Sequence, residues 1–310
     1  MPSPTVTDHA DAILITACSG LFVEHYLDLL DSLADVGLTG QFDLGLIDLG
    51  LTAAQQDDLR ARGIQIVPGR WPIEPPPTQN ALHMLAFAGK PFARDFFPGY
   101  QTYVWMDADM WVQTADFWPA LIQGAQSNGL AVPIEVDAGY GSMTWRNRLW
   151  MFRHFMNSYG LRRAVSLSRQ PMVNNGVFAL TADAPHWLLW QKHFRLMVSR
   201  TERTLAIDQL SMMAMSYLES ETLALIDASN NWVCSLGTPD YDVAQQRFVK
   251  PGGKQEVISV MHITTPSRAR MVPVVHSDGT TVSKYLHRPG GRFLSSLEQQ
   301  DVPVASHLPA

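Results

Sequence analysis

The sequence predicts an α/β protein: a mixed, mainly parallel sheet flanked by helices, with a small C-terminal extension. Three observations predict it. Short apolar runs alternate with helix-period segments through the first ~70 residues, giving a β-α-β-α-β order that needs parallel strands and crossover helices. The run "YVWMDADMWV" at 103–112 is strand-like and carries two carboxylates at its end, the sheet edge where open α/β folds hold ligands. The composition, 310 residues with 46% hydrophobic and 17% charged, supplies a substantial core.

"AILITA" at 12–17 reads as a buried strand. Leu21, Phe22, Tyr26, Leu29, Leu30 and Leu33 follow at three- and four-residue spacings and predict a helix. "FDLGLIDL" at 42–49 is the second strand, Thr52 caps a helix that ends at Gly63, and "IQIV" at 64–67 is the third strand. The proline-rich stretch at 68–77 is a loop. A helix over 78–97 is expected to bend or break near Gly89-Lys90-Pro91. The strand "TYVWMD" then delivers Asp107. Further on, "LAVPIE" at 130–135 and "MVNNGVFAL" at 172–180 read as strands, and 147–159, 184–198 and 205–218 as helices. "EVISVMHIT" at 256–264 is an apolar strand containing His262, and 273–287 predicts a hairpin turning at Asp278-Gly279. The last ~15 residues read as frayed. The expected division is a main unit over 1–265 and an extension over 266–310.

The net charge is −6 and there is no basic tail, which argues against a general nucleic-acid binder. Two cysteines, Cys18 and Cys234, are too few for a disulfide framework and lack zinc-site spacing, so they read as buried, reduced thiols. The first twenty residues make a poor signal peptide, and no stretch approaches the ~20 apolar residues of a spanning helix. The expectation is a cytoplasmic protein, with peripheral membrane association left open.

Asp107 and Asp109 pose the functional question. In an extended chain, residues i and i+2 project to one face, and the small Ala108 between them limits crowding. Two adjacent carboxylates repel unless a cation intervenes. Mg²⁺ or Mn²⁺ resolves the conflict, and both commonly bind one or two carboxylates together with phosphate oxygens.

In this context "YVWMDADMWV" resembles the metal-binding D-x-D of the GT-A glycosyltransferases, especially family 8 and its relatives. Other segments resemble that family in the same order, over roughly residues 12–265. "NNGVFAL" at 174–180 resembles its strand edge beside the donor sugar, where Gly176 would admit a ligand closely and Asn174 and Asn175 would offer amides to sugar hydroxyls. "AIDQLSMMAM" at 206–215 resembles its helix-opening Asp-Gln, which implies Asp208 on a sugar hydroxyl and Gln209 near the anomeric carbon. His262 stands where the family places a third metal ligand after Asp107 and Asp109. Thr16, Ala17 and Cys18 correspond to the nucleotide pocket, Lys90 and Arg94 to a basic position near the donor, and Asp107 and Ala108 to donor contacts. The family's glycine, lysine, proline and tryptophan after the histidine are absent; the chain reads "HITTPSRARM", so Arg268 or Arg270 would substitute for the lysine on the phosphates.

The resemblance implies a GT-A, Rossmann-like fold and a metal-dependent transfer of a sugar from a nucleotide-sugar donor, UDP-linked, to a glycan, glycolipid or protein acceptor, with retention. Inversion would need a carboxylate base, for which Asp208, Glu135 and Asp137 are candidates. Two rivals are a sugar nucleotidyltransferase, whose glycine-rich, lysine-containing signature "TACSGLFVEHY" lacks, and a non-catalytic sugar-binding protein on the same fold. The segment 139–155, with Trp145, Arg146, Arg148 and Trp150, could stack on a sugar, touch anionic lipid or bury one helix face.

Overall fold

The computed structural model describes residues 11–74, 82–141, 143–201, 206–253, 255–264 and 270–299. Strand β1 (Ala12–Cys18) is buried throughout and leads through a short turn into helix α1 (Val23–Asp35). Strand β2 (Asp43–Asp48) and helix α2 (Ala53–Ala61) follow, and α2 starts at Thr52 with a reciprocal capping box to Gln55. Strand β3 (Ile64–Pro68) completes the unit expected from the sequence. The helix expected over 78–97 is broken: α3 (Leu85–Ala88), a tight turn at Lys90–Phe92 and α4 (Ala93–Phe96) replace it. Pro91 lacks an N–H and its ring crowds the preceding turn, so a continuous helix is not available there. Residues 75–81 of the expected loop and helix lie outside the described residues.

Next come β4 (Thr102–Met106), β5 (Met110–Val112), α5 (Phe117–Asn128) and β6 (Leu130–Pro133). Helices α6 (Trp145–Tyr159) and α7 (Leu161–Leu167) are separated by Gly160 at φ 77°. Strand β7 (Val177–Thr181) precedes α8 (His186–Thr201) and α9 (Ile207–Leu218). Short strands follow: β8 (Ala224–Ile226), β9 (Trp232–Val233), β10 (Asp240–Asp242), β11 (Arg247–Val249) and β12 (Val260–His262). The chain closes with β13 (Val272–Val275), β14 (Thr281–Lys284) and α10 (Arg292–Gln299).

The main sheet has seven strands in the order β3-β2-β1-β4-β7-β6-β8. Strands β1 to β4 are parallel, β7 runs antiparallel between β4 and β6, and β8 is parallel to β6. Alternation along β1 sorts the core into two layers. Ile13, Ile15 and Ala17 face one layer with Leu85, Phe155, Trp187, Trp190 and Met212 from α3, α6, α8 and α9. Leu14 and Cys18 face the other with Tyr26, Leu29, Phe117 and Leu121 from α1 and α5.

The run 103–112 is not one strand. It leaves the main sheet after Met106, turns at 107–109, and re-enters as β5 in a second sheet, β5-β12-β9. There Met110 pairs with His262 and Val112 with Val260. The hairpin β13–β14 forms where expected, with Gly279 at φ 84° in its turn. Helix α10 was not anticipated. It docks on α1, where the Arg292 and Phe293 N–H groups donate to the Asp28 carboxylate at 2.6 and 3.2 Å and Phe293 stacks on His25 at 3.8 Å. Residues 300–310 lie outside the described residues.

Candidate functional site

The C-terminal end of β4 builds the site. The Asp107 N–H donates to the Gly176 carbonyl at 2.9 Å, which continues the β4–β7 ladder one residue past the strand. Trp105 sits two residues earlier on the same strand face and donates its indole N–H to Asp107 Oδ1 at 2.8 Å. Lys90 Nζ lies 3.0 Å from both carboxylate oxygens of Asp107. The turn at 107–109 then brings Asp109 round, and the Ile263 N–H donates to the Asp109 carbonyl at 2.9 Å, pinning the turn against the end of β12. His262 Nε2 faces both acids, 3.5 Å from Asp109 Oδ1 and 3.9 Å from Asp107 Oδ2. One ligand atom from each of Asp107, Asp109 and His262 lies within 4.8 Å of the others. Convergence of the two aspartates therefore comes from a turn, and not from the extended same-face geometry that the sequence suggested.

A hydrogen-bond relay fixes which His262 nitrogen carries the proton. The Gly176 backbone N–H can only donate, and it donates to Asn174 Oδ1 at 2.9 Å. That atom also receives Asn231 Nδ2 at 2.8 Å, so the Asn231 Oδ1 must be an acceptor. Asn231 Oδ1 lies 3.0 Å from His262 Nδ1, which therefore bears the hydrogen. Nε2 is the nitrogen left facing Asp107 and Asp109. A neutral imidazole with its other N–H anchored is the ligand state that a divalent metal requires, and the donor set of two carboxylates and one imidazole suits Mn²⁺ or Mg²⁺.

Below this cluster lies a buried charge group. Lys90 is 3% exposed and also sits 3.4 Å from Asp208 Oδ2. Burial alone would push the Lys90 ammonium down, but the Asp107 and Asp208 carboxylates hold it above its ordinary value. Asp208 is raised by its own burial, against the opposing pull of Lys90 and an Asn175 Nδ2 donor at 2.9 Å. Its second oxygen, Oδ1, is buried with no hydrogen-bond partner among the described residues. Ala206, which precedes α9, holds a left-handed backbone at φ 58° and lines the cleft with Asp208. Glu135 Oε2 accepts Asn174 Nδ2 at 2.7 Å and Gln209 Nε2 at 2.8 Å; burial raises its pKa despite those two donors. Gln209 Nε2 also donates to the Val173 carbonyl at 2.9 Å, so Oε1 is what this side chain can present.

These groups line a cleft of ≈ 490 Å³. The structure brings Ala17, Lys90, Asp107, Ala108, Asp109, Asn174, Asn175, Asp208, Gln209 and His262 to it. Others of the expected residues are elsewhere. Thr16 and Cys18 are buried on the α1 side of β1, because Ala17 between them faces the cleft and alternation turns its neighbours away. Burial raises the Cys18 thiol to about 12, as for an inert core cysteine. Arg94 points away from the cleft, donating to the Ala182 carbonyl at 2.6 Å with its guanidinium 5.8 Å from the Trp187 ring. Gly176 is crowded by protein: a Cβ there would sit 2.7 Å from Met110 Cε and 2.8 Å from His262 Cε1. Asp137 is tied to Lys250 at 3.0 Å. Arg268 lies outside the described residues. The sequence reading missed Asn231, for which the pattern "NNW" gives no signal, and the apolar wall of Phe22, Leu49 and Phe87. The Trp105 contact was accessible from strand alternation.

No family model matches the chain, and no curated protein matches it. Solved structures do. The galactosyltransferase LgtC in complex with donor and acceptor sugar analogs is 11% identical, with a TM-score of 0.53 over 94% of this chain and 98% of that one. An active-site glutamine-to-glutamate mutant of LgtC matches at 11% identity and a TM-score of 0.51 over the same shares. The likeness establishes the fold: this chain has the Rossmann-like GT-A architecture of glycosyltransferases.

Proposed function

We propose that the protein is a divalent-metal-dependent glycosyltransferase that moves a sugar from a nucleoside-diphosphate donor, a UDP-sugar, to an acceptor hydroxyl with retention of configuration. The observation that carries this reading is the Asp107–Asp109–His262 cluster in the cleft, with His262 Nε2 turned toward both acids. Those three residues would hold Mn²⁺ or Mg²⁺. Bound there, such an ion supplies Lewis-acid stabilisation to the charge that develops on a departing diphosphate.

The chain's own side chains do the remaining work. Phe22 and Leu49, beside Ala17, offer an apolar wall to a nucleoside base. Asp208 Oδ1, buried and without a partner among the described residues, is an acceptor for a donor-sugar hydroxyl. Glu135 and the Val173 carbonyl occupy the Gln209 amide hydrogens, so Oε1 turns its negative end toward positive charge developing at an anomeric carbon. LgtC also has a glutamine in its active site. Retention is supported by the state of the carboxylates. Among the described residues of the cleft, Glu135 already accepts two amides, Asp208 pairs with Lys90, and Asp107 and Asp109 belong to the metal cluster. In a retaining transfer the leaving phosphate takes the acceptor's proton, whereas inversion would draw on Glu135 Oε1, which neither amide occupies.

Calorimetry with UDP tests the reading. Binding is expected to require Mn²⁺ and to weaken on the order of 100-fold in Asp109→Ala, the loss of one charged ligand. UDP binding indifferent to the metal or to that substitution would sink it. A panel of nucleotide sugars then asks for slow donor hydrolysis; tight UDP binding with no hydrolysis of any donor would make the protein a binder instead.

A further inference from the structure

Between Asp137 and Asp183 the chain has no acidic residue and six arginines, in a protein whose net charge is −6. This stretch forms α6 and α7. Met151 and Phe155 are the buried side of α6. The opposite side is not the polar surface such a helix normally shows. Trp145 is 69% exposed there, Leu149, Trp150 and Met156 are also exposed, and Leu161 at the start of α7 is 64% exposed. Arginines are interleaved with these side chains, and the Arg146 guanidinium lies 5.8 Å from the Trp145 ring. Arg146 and Arg153 join Arg200 of α8 around an open groove of ≈ 540 Å³ floored by Trp145, Leu149 and Trp150.

We propose that the α6–α7 face docks on an anionic lipid bilayer. Exposed tryptophan and leucine beside arginine is the composition of an interfacial helix, with rings at headgroup depth and guanidinium groups on phosphates. Charge selects this occupant. Two copies of the face packed together would set arginine against arginine, whereas a phosphate-bearing surface neutralises all of them. A second depression of ≈ 600 Å³ runs from Glu135 and Leu236, which also line the cleft, to Arg148 and Met151 of α6. A docked α6 therefore lies beside the mouth of the cleft. On the transferase reading above, on which this clause alone rests, the acceptor is a saccharide carried on a lipid.

Sedimentation with vesicles tests the docking. The protein should pellet with phosphatidylcholine vesicles containing about 30% phosphatidylglycerol, and not with phosphatidylcholine alone. Binding should fall as salt rises from about 0.05 to 0.5 M, and tryptophan emission should shift to the blue on binding. The triple variant R146E/R153E/R200E should lose roughly 100-fold in partition, about fivefold or more per arginine. W145A/W150A should abolish the emission shift. Both variants should keep the parent melting temperature and Mn²⁺-dependent UDP binding, which separates docking from the transferase reading. The proposal is overturned if the protein ignores anionic vesicles at low salt. It is also overturned if both variants bind like the parent, if glycerol phosphate competes the vesicles away fully, or if the variants abolish a concentration-dependent dimer and leave vesicle binding unchanged.

Discussion

Replacing Asn231 by alanine removes the acceptor that fixes the His262 tautomer. Asn231 is 1% exposed and its side chain makes three buried bonds, 3.0 Å to His262 Nδ1, 2.8 Å to Asn174 Oδ1 and a longer one of 3.4 Å to the Asn174 carbonyl. Asn174 Oδ1 keeps the Gly176 N–H at 2.9 Å, so the unmet demand falls on His262. A buried donor left without a partner costs about 1–3 kcal/mol, and the lost bond to Asn174 adds about 1. The expected destabilisation is therefore about 2–4 kcal/mol. Metal affinity should fall separately, because the ring is free to turn and to place its proton on Nε2; the loss of such a support is worth roughly 10- to 100-fold. The control is Asn231→Asp. It keeps an acceptor for His262 but sets an oxygen against Asn174 Oδ1 where a donor stood, so it should lose stability and retain metal. Titration of metal-stripped protein with Mn²⁺, by electron paramagnetic resonance or calorimetry, reads the affinity, with melting temperatures in parallel. If Asn231→Ala binds Mn²⁺ within about twofold of the parent, the relay does not set the histidine and the reasoning fails.

Three further outcomes follow from the same geometry. Gly176→Ala should cost about 1–3 kcal/mol and weaken Mn²⁺ binding, since its Cβ would press on Met110 Cε and His262 Cε1 at 2.7 and 2.8 Å; unchanged affinity would mean the ring has room to yield. Arg94→Ala should destabilise by about 1–3 kcal/mol in denaturant through loss of its 2.6 Å bond to the Ala182 carbonyl, and leave UDP affinity alone; a drop in UDP affinity would return Arg94 to the donor site. His186 and His193 are both held below the ordinary histidine pKa of 6.5, first by burial. The unfolded chain takes up protons first as pH falls through 6.5, so this stability is present above that pH and lost below it, by up to about 1.4 kcal/mol per pH unit for each ring kept neutral. Melting temperature should fall from pH 7 toward 5, and His186→Leu should flatten the fall; an identical slope in that variant counts against His186.

Legibility in the sequence followed the strength of local signals. Strands β1 to β3 and the Thr52 cap were readable because buried parallel strands are near-continuous apolar runs and a capping box is a local motif. The carboxylate pair was readable because charge inside an apolar run demands a partner. The turn at 107–109 was not, since "MWV" is as apolar as the strand before it and only pairing with β12 reveals a second sheet. Parity along β1 was available and would have turned Thr16 and Cys18 into the core once Ala17 faced the cleft. The direction of the Arg94 side chain and the closure of Asn231 onto His262 depend on contacts 88 and 31 residues apart, which no local pattern encodes.

The charges around the cleft make a further argument for a divalent ion. Asp107, Asp109 and Asp208 bring three negative charges, and Lys90 brings one positive charge to Asp107 and Asp208. Lys90 is thus shared between two carboxylates, and Asp107 and Asp109 converge on His262 Nε2, 3.9 and 3.5 Å away. A divalent cation between two carboxylates offsets their repulsion more fully than a monovalent one. Two consequences follow for the protein without nucleotide. Melting temperature should climb with Mn²⁺, reaching about 2.7 kcal/mol of added stability at a hundred times the dissociation constant. Asp109→Asn removes a charged ligand, so its melting temperature should fail to respond to Mn²⁺. A variant whose melting temperature still climbed with Mn²⁺ as the parent's does would show that Asp109 is not a ligand, and the case for a cation would then rest on Asp107 and the histidine.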